Sequence, residues 1–320
     1  MVRTGIDFVE KSFNRGFASF GTICPLACNH CYTFMKGYNT PKNDNINDII
    51  SSLKDDFYDI IYVSGHCENF INPMIGIELC EKLFDKFSSH IMITTRMIFN
   101  DTEIARLKRL QTKMNIADKR LFVCSSIPAF DSYRKLEPSA LTPSPADRLN
   151  FLQRLYSEGF YTFLTLRPLF PNYYIPIKEL LNIIELAKDY TSVVLSSGVV
   201  VSADNVEKLE GFSRQEKYGE TLMNCLHNPD VKVQHVDVSK ELSEINKKCN
   251  EFNIPMFNES LVAVRYLLMF ENNNSTKKHF KIFSDYVQAI NGDFKNLDKI
   301  INLNNSVNKN FWVNLKKEFV

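Results

Sequence analysis

From Phe17 to about Ser197 the sequence repeats one pattern: a short run of apolar, β-branched and aromatic residues, then a longer amphipathic stretch. The strand-like runs are Phe17–Ile23, Ile60–Ser64, Ile91–Thr95, Leu121–Ser125, Thr162–Leu166 and Ser192–Ser196. Helical spacing predicts helices over Ile46–Leu53, Met74–Phe87, Glu103–Leu110, Ala146–Glu158 and Ile177–Lys188. Several starts carry the expected signals: Asn45 before the first helix, Pro73 and Pro145 at first-turn positions, and Asp101 and Thr102 before the third. Gly159 falls where a left-handed C-cap belongs. Strands alternating with helices at this spacing build successive right-handed βαβ units and a parallel sheet. Six units suit a partial barrel, and an open doubly wound sheet satisfies the same periodicity. In both, chemistry gathers at the carboxyl ends of the strands.

After Ser197 the pattern loosens. Val231–Val238 reads as a strand, Lys240–Asn250 as a helix, and Leu261–Phe270 as an apolar element, with a polar loop at 271–275 and charged helical stretches up to Val320. The expected organisation is a catalytic core over residues 1–200 and a mainly helical C-terminal extension over 201–320, which completes or covers the core.

A formal net charge of +1 over 320 residues gives no global field toward polyanions. No apolar run approaches the roughly 20 residues of a membrane span, and Met1–Lys11 lacks the apolar segment of a secretory signal. The expected compartment is the cytoplasm. There the eight cysteines are metal ligands, a reactive thiol or buried fillers rather than disulfides.

Three of them stand at Cys24, Cys28 and Cys31, a C-x3-C-x2-C spacing directly after the first strand. At a frequency of 8 cysteines in 320 residues, chance supplies this spacing roughly 0.005 times per chain, so it carries information. Thiolates suit iron–sulfur clusters, and one loop leaving a strand can reach three irons of a cubane. A structural zinc site closed by His30 is the alternative. It asks two adjacent side chains, His30 and Cys31, to converge on one ion, and no second C-x2-C pair exists to close it.

With Tyr32 following, the motif resembles the signature of the radical S-adenosylmethionine (SAM) superfamily. The resemblance implies an α/β fold, a partial (β/α)6 barrel of the radical SAM type. It also implies a [4Fe–4S] cluster on Cys24, Cys28 and Cys31, with SAM on the fourth iron. Reductive cleavage of SAM then yields a 5′-deoxyadenosyl radical that takes hydrogen from a substrate. A one-electron reductant such as flavodoxin or ferredoxin is implied as partner, and SAM contacts at Tyr32, Gly65, Arg96, Ser125 and Ser126. A glycine at the end of the second strand also suits a tight turn.

The run Tyr133–Pro138, with Arg148 and Arg167–Pro168, resembles the spore photoproduct lyase branch of that superfamily over about half the chain. There Arg96 replaces a lysine, keeping charge but not donor geometry. Glu137 either holds SAM or braces Arg148, and Cys67 corresponds to a cysteine that returns a hydrogen atom to the product radical. The branch implies a lyase-like repair or modification of nucleic acid, for which 277–281 and 309–312 are basic, aromatic stretches. The alternatives are a small-metabolite or peptide substrate, or a non-catalytic iron–sulfur protein.

Overall fold

The computed structural model describes residues 14–21, 24–31, 33, 45–54, 57–65, 67–201, 206–212, 217–222 and 232–270. The chain divides into two compact units, one of residues 15–256 and one of residues 1–14 with 257–320.

In the first unit six strands follow one another: β1 (Arg15–Ala18), β2 (Ile60–Val63), β3 (His90–Thr95), β4 (Leu121–Ser126), β5 (Tyr161–Leu169) and β6 (Val193–Gly198). Between them lie α1 (Ile46–Ser52), α2 (Pro73–Phe87), α3 (Asp101–Ile116), the short α4 (Tyr133–Leu136), α5 (Pro145–Ser157) and α6 (Ile177–Ala187). Every neighbouring pair is parallel, and the order in the sheet is the order in the sequence. A doubly wound sheet reverses its order at a switch point; this one never does. The fold is therefore an α/β sheet of the barrel type, and the open alternative falls away. A two-residue strand, Met256–Phe257, follows β6 in the sheet order, and the division between the units falls within it.

Alternation along the strands sorts two packed faces. Ile61, Val63, Ile91, Ile93, Leu121 and Val123 share one core with Leu79, Leu83, Leu107 and Leu110 of the helices. The opposite face carries rings. Phe17 stacks on Tyr62 at 5.3 Å, and Phe122 meets Tyr161 and Phe163 at 5.6 and 5.7 Å. A sheet covered on both faces needs nearly continuous apolar strands, which is what β2 and β4 supply.

Caps fix the helix starts. Asn45 and Asn100 each accept from the third backbone N–H of their helix, and Asp48 and Glu103 reach back to complete capping boxes. The third helix is longer than predicted at both ends, because Asn100 rather than Asp101 caps it and Met114 continues the buried stripe of Leu107 and Leu110. Gly159 adopts φ +83°, the left-handed conformation expected of it. β5 runs three residues past its predicted end through Pro168, with a register shift between Leu166 and Leu169; a bulge tolerates a residue that cannot donate.

Beyond β6 the described residues form β7 (Val200–Val201), β8 (Lys217–Leu222), β9 (Lys232–Val236) and α7 (Ser239–Glu251), with β9 antiparallel to both β7 and β8. This small sheet adds strands to an extension expected to be mainly helical; β8, Lys-Tyr-Gly-Glu-Thr-Leu, has too mixed a pattern to read as a strand. After β10 (Met256–Phe257), at the division, the second unit holds α8 (Ser260–Phe270), which gives Leu261–Phe270 its type. Among the described residues no helix is long and apolar enough to cross a membrane. The segments 277–281 and 309–312 lie outside the described residues.

Candidate functional site

The cysteine loop leaves β1 at the carboxyl edge of the sheet. Ala27 takes φ 45°, and hydrogen bonds from Ala27 N to Cys24 O and from Cys31 N to Cys28 O fold residues 24–31 into two consecutive turns. Asn29 moors the loop, donating its backbone N–H to Leu136 O at 2.9 Å and its side-chain amide to Lys135 O at 3.0 Å. Tyr32 lies outside the described residues.

The three thiols differ. Burial pushes Cys28 up to about 12 and raises Cys31, whose sulfur lies 2.9 Å from the Thr33 hydroxyl. Cys24 moves the other way, to about 6. A hydrogen bond with Cys67 outweighs the cost of burial, and the N–H groups of Glu68 and Leu26 and the charge of Arg96 add to it.

The segment after β2 is built around two polar side chains that the sequence reading passed over. Asn69 accepts from Phe20 N at 3.2 Å and donates to Ala18 O at 3.1 Å, which ties the ends of β1 and β2 together. Buried Glu68 receives the Thr95 hydroxyl at 2.9 Å, Phe70 N at 3.1 Å and Arg96 N at 2.8 Å. Burial nevertheless raises its carboxyl to about 7, against those donors. A single acid at a strand end is the only signal the sequence offers for it. Gly65 is not required by the turn: the left-handed residue is Ser64, φ 70°, and a Cβ on Gly65 would meet only Phe17, at 3.5 Å. Turn geometry therefore does not account for this glycine.

Arg96, after β3, donates from Nε to Glu137 at 2.5 Å, and Arg148 donates to the other Glu137 oxygen at 2.7 Å. Both carboxylate oxygens are thus occupied by guanidinium groups, so of the two roles open to Glu137 the geometry displays the brace. Arg148 also donates to Ser126 O, so α5 is locked to the end of β4. Along β4, Ser126 shares the ring-bearing face with Phe122 and Cys124, while Ser125 shares the helix face with Leu121 and Val123. The sequence could not separate this pair; alternation does.

His30 is buried. Arg96 NH2 lies 3.4 Å from His30 Nε2. A guanidinium only donates, so Nε2 accepts and Nδ1 carries the proton. Burial and then Arg96 hold the ring neutral, near 3. Nδ1 is buried without an acceptor.

Among the described residues no three His, Cys, Asp or Glu side chains gather around one point as ligands of a single metal ion. A cubane asks for a different arrangement, one thiolate per iron corner. The residues present fit it: three thiols and no carboxylate on one loop, one of them, Cys28, buried, a guanidinium beside them to balance anionic charge, and an orphaned N–H from His30. Beside this loop lies a cleft of about 610 Å³, lined by Phe20, Pro25, Ile46, Cys67, Ile71 and Ile75 among others.

No family model matches the chain, and no match was found among curated proteins. Solved structures do resemble it. SuiB of Streptococcus suis bound to its precursor peptide SuiA aligns with 82% of this chain and 53% of its own, at a TM-score of 0.51 and 12% identity. SuiB bound to S-adenosylmethionine aligns with 78% of this chain and 51% of its own, at 0.51 and 11%. The chain thus spans about half the length of these structures and shares their fold.

Proposed function

We propose that this chain is a radical SAM enzyme whose [4Fe–4S] cluster is held by Cys24, Cys28 and Cys31. The observation that carries the reading is the placement of all three on one moored loop at the carboxyl end of the first strand of a parallel, barrel-type sheet. That is where such sheets assemble their sites. The fold likeness to SuiB, solved with S-adenosylmethionine, supports it. When bound, the cluster and SAM supply a one-electron cleavage that generates a hydrogen-abstracting radical.

The chain's own residues orient and enclose. Asn29 fixes the ligand loop, and Asn69 fixes the turn carrying Gly65 beside it. Gly65 leaves room for a ligand to approach the backbone. Arg96, positioned by Glu137 and by its own N–H to Glu68, places a cation beside the thiols. Ser126 presents its hydroxyl on the inner face, and Tyr32 contributes its ring. Ser125, from the helix face of the same strand, acts through its backbone. Cys67 lines the cleft, where its S–H is the candidate hydrogen-atom donor to a product radical. A one-electron donor such as flavodoxin or ferredoxin completes the system.

For the substrate, the likeness to the photoproduct lyase branch rests on the motif residues alone and points to nucleic acid. A peptide or small metabolite has an observation behind it. Among the described residues lining the cleft, the one cation, Lys82, pairs with Glu78 at 3.0 Å, beside apolar Ile71 and Ile75. Such a wall offers little to phosphates. The precursor peptide on SuiB supports the same class. Anaerobic reconstitution tests the proposal: the chain takes up four irons and four sulfides, as a [4Fe–4S] cubane requires, and with dithionite converts SAM to 5′-deoxyadenosine. Iron uptake without SAM turnover makes it an electron-transfer or scaffold protein instead.

A further inference from the structure

Along the cysteine loop Leu26, Cys28 and His30 are buried, whereas Pro25 and Ala27 are exposed. Pro25 follows Cys24 and Ala27 precedes Cys28. A second segment, 134–141, lies against this loop. Ser139 is the hub of the contact: its hydroxyl donates to Pro25 O at 3.4 Å and accepts from Leu141 N at 3.3 Å, and its carbonyl accepts from the Arg134 guanidinium. The bonds from Asn29 to Lys135 O and Leu136 O join the same two segments farther along. Together they present one outer surface. Pro25, Ala27, Pro138, Ala140 and Leu141 give it exposed apolar area, Leu141 alone being 54% exposed. Its exposed charges are both positive. Arg134 and Lys135 are exposed, whereas Glu137, the one acid in 24–31 and 133–144, is fully buried. The nearest acids in the sequence, Asp131 and Asp147, fall outside both segments, and Asp147 is engaged by the Ser144 hydroxyl at 2.6 Å.

We infer that this surface, Pro25 and Ala27 together with 134–141, docks a small acidic one-electron carrier protein. The inference rests on the reading of Cys24, Cys28 and Cys31 as cluster ligands. Electron transfer weakens steeply with distance, so a carrier has to seat its redox group close to the iron. A partner that touches Pro25 and Ala27 rests on the immediate chain neighbours of two ligand thiols. The carrier also has to leave after each delivery. That suits a small contact, below about 1,200 Å², with an apolar middle and a charged rim. Cations on the rim steer an acidic partner into place and set the rate of encounter more than the affinity. The step itself moves one electron: the carrier is oxidised by one, the cluster is reduced by one, and no bond forms or breaks.

The test uses the full chain with its cluster reconstituted anaerobically, and follows 5′-deoxyadenosine formed from SAM with either of two reductants, dithionite or a low concentration of reduced flavodoxin. With flavodoxin the wild-type rate is expected to fall about tenfold from low to high salt. Arg134→Gln keeps a donor for Ser139 O but removes the charge, and is expected to slow the flavodoxin reaction about threefold at low salt. Leu141→Glu adds a repelling charge at an exposed position and is expected to slow it about tenfold. Both variants are expected to match the wild type in iron content and in the dithionite reaction. Unchanged flavodoxin rates in both variants overturn the docking surface, as does a wild-type rate that salt leaves unaltered. Equal losses with both reductants trace to the cluster rather than to docking and likewise count against it. A wild-type chain that takes up iron yet cleaves no SAM with dithionite sinks the enzyme reading itself, and this inference with it.

Discussion

Arg148 donates to Glu137 at 2.7 Å with both side chains fully buried, and the same carboxylate receives Arg96 from the other side. One acid therefore bridges two guanidinium groups, of which Arg96 lies toward the cysteine loop, and one positive charge remains. Removing one partner of a buried ion pair leaves an uncompensated charge and costs about 3–5 kcal/mol. Glu137→Ala is expected to lower stability by that order in a denaturant titration. Arg96→Lys keeps the charge but loses the fork, and the expected outcome is a folded protein with weakened SAM binding, read by calorimetry.

Gly76 and Gly65 flank the segment that carries Cys67, and substitution separates their roles. A Cβ on Gly76 would lie 2.3 Å from Phe70 Cδ1 and 3.0 Å from Asn69 O, where the buried ring has no room to move. Gly76→Ala is expected to destabilise by about 1–3 kcal/mol through overpacking, seen as a lower Tm. Gly65→Ala meets no such wall. It is expected to melt near the wild-type temperature and to lose affinity for SAM, a combination that a purely structural glycine does not give.

Glu68 gives stability a pH dependence of unusual sign for a carboxylate. Its carboxyl rises from 4.5 to about 7 on folding, burial being the main cause. The folded state therefore holds a proton that the unfolded chain releases. The contribution is complete below about 4.5 and is lost as pH climbs through about 7. Thermal melts between those limits are expected to show wild-type stability falling relative to Glu68→Gln, whose level is lower but whose slope lacks this component. Parallel slopes would remove Glu68 as the cause.

Cys28→Ala is expected to leave the fold intact, since a buried thiol is replaced by a smaller apolar group, and to abolish iron retention. Circular dichroism and the absorbance near 400 nm of the reconstituted protein check the two halves. Retained iron at the wild-type level would place the ligands elsewhere.

What could be read beforehand follows the range of each interaction. The strands were legible because β2, β3 and β4 are apolar on both faces, and the helix starts because Asn45, Pro73 and Pro145 act within one turn. The cysteine spacing was legible because its ligands are local. Glu68, Asn69 and His30 escaped because each has a partner 28 to 66 residues away, as with Arg96 N on Glu68, Phe20 N on Asn69 and Arg96 on His30. One sequence carries no sign of such pairings. Ser125 and Ser126 stayed degenerate for another reason: only strand register fixes which of two neighbours looks inward.

The mooring of Asn29 has a bearing on biosynthesis. Its two acceptors, Lys135 O and Leu136 O, lie more than a hundred residues downstream, with a separation of 106 for the first. A nascent chain halted before Leu136 has made the whole cysteine motif yet lacks the anchor that shapes it, so the loop matures only when the fourth crossover has left the ribosome.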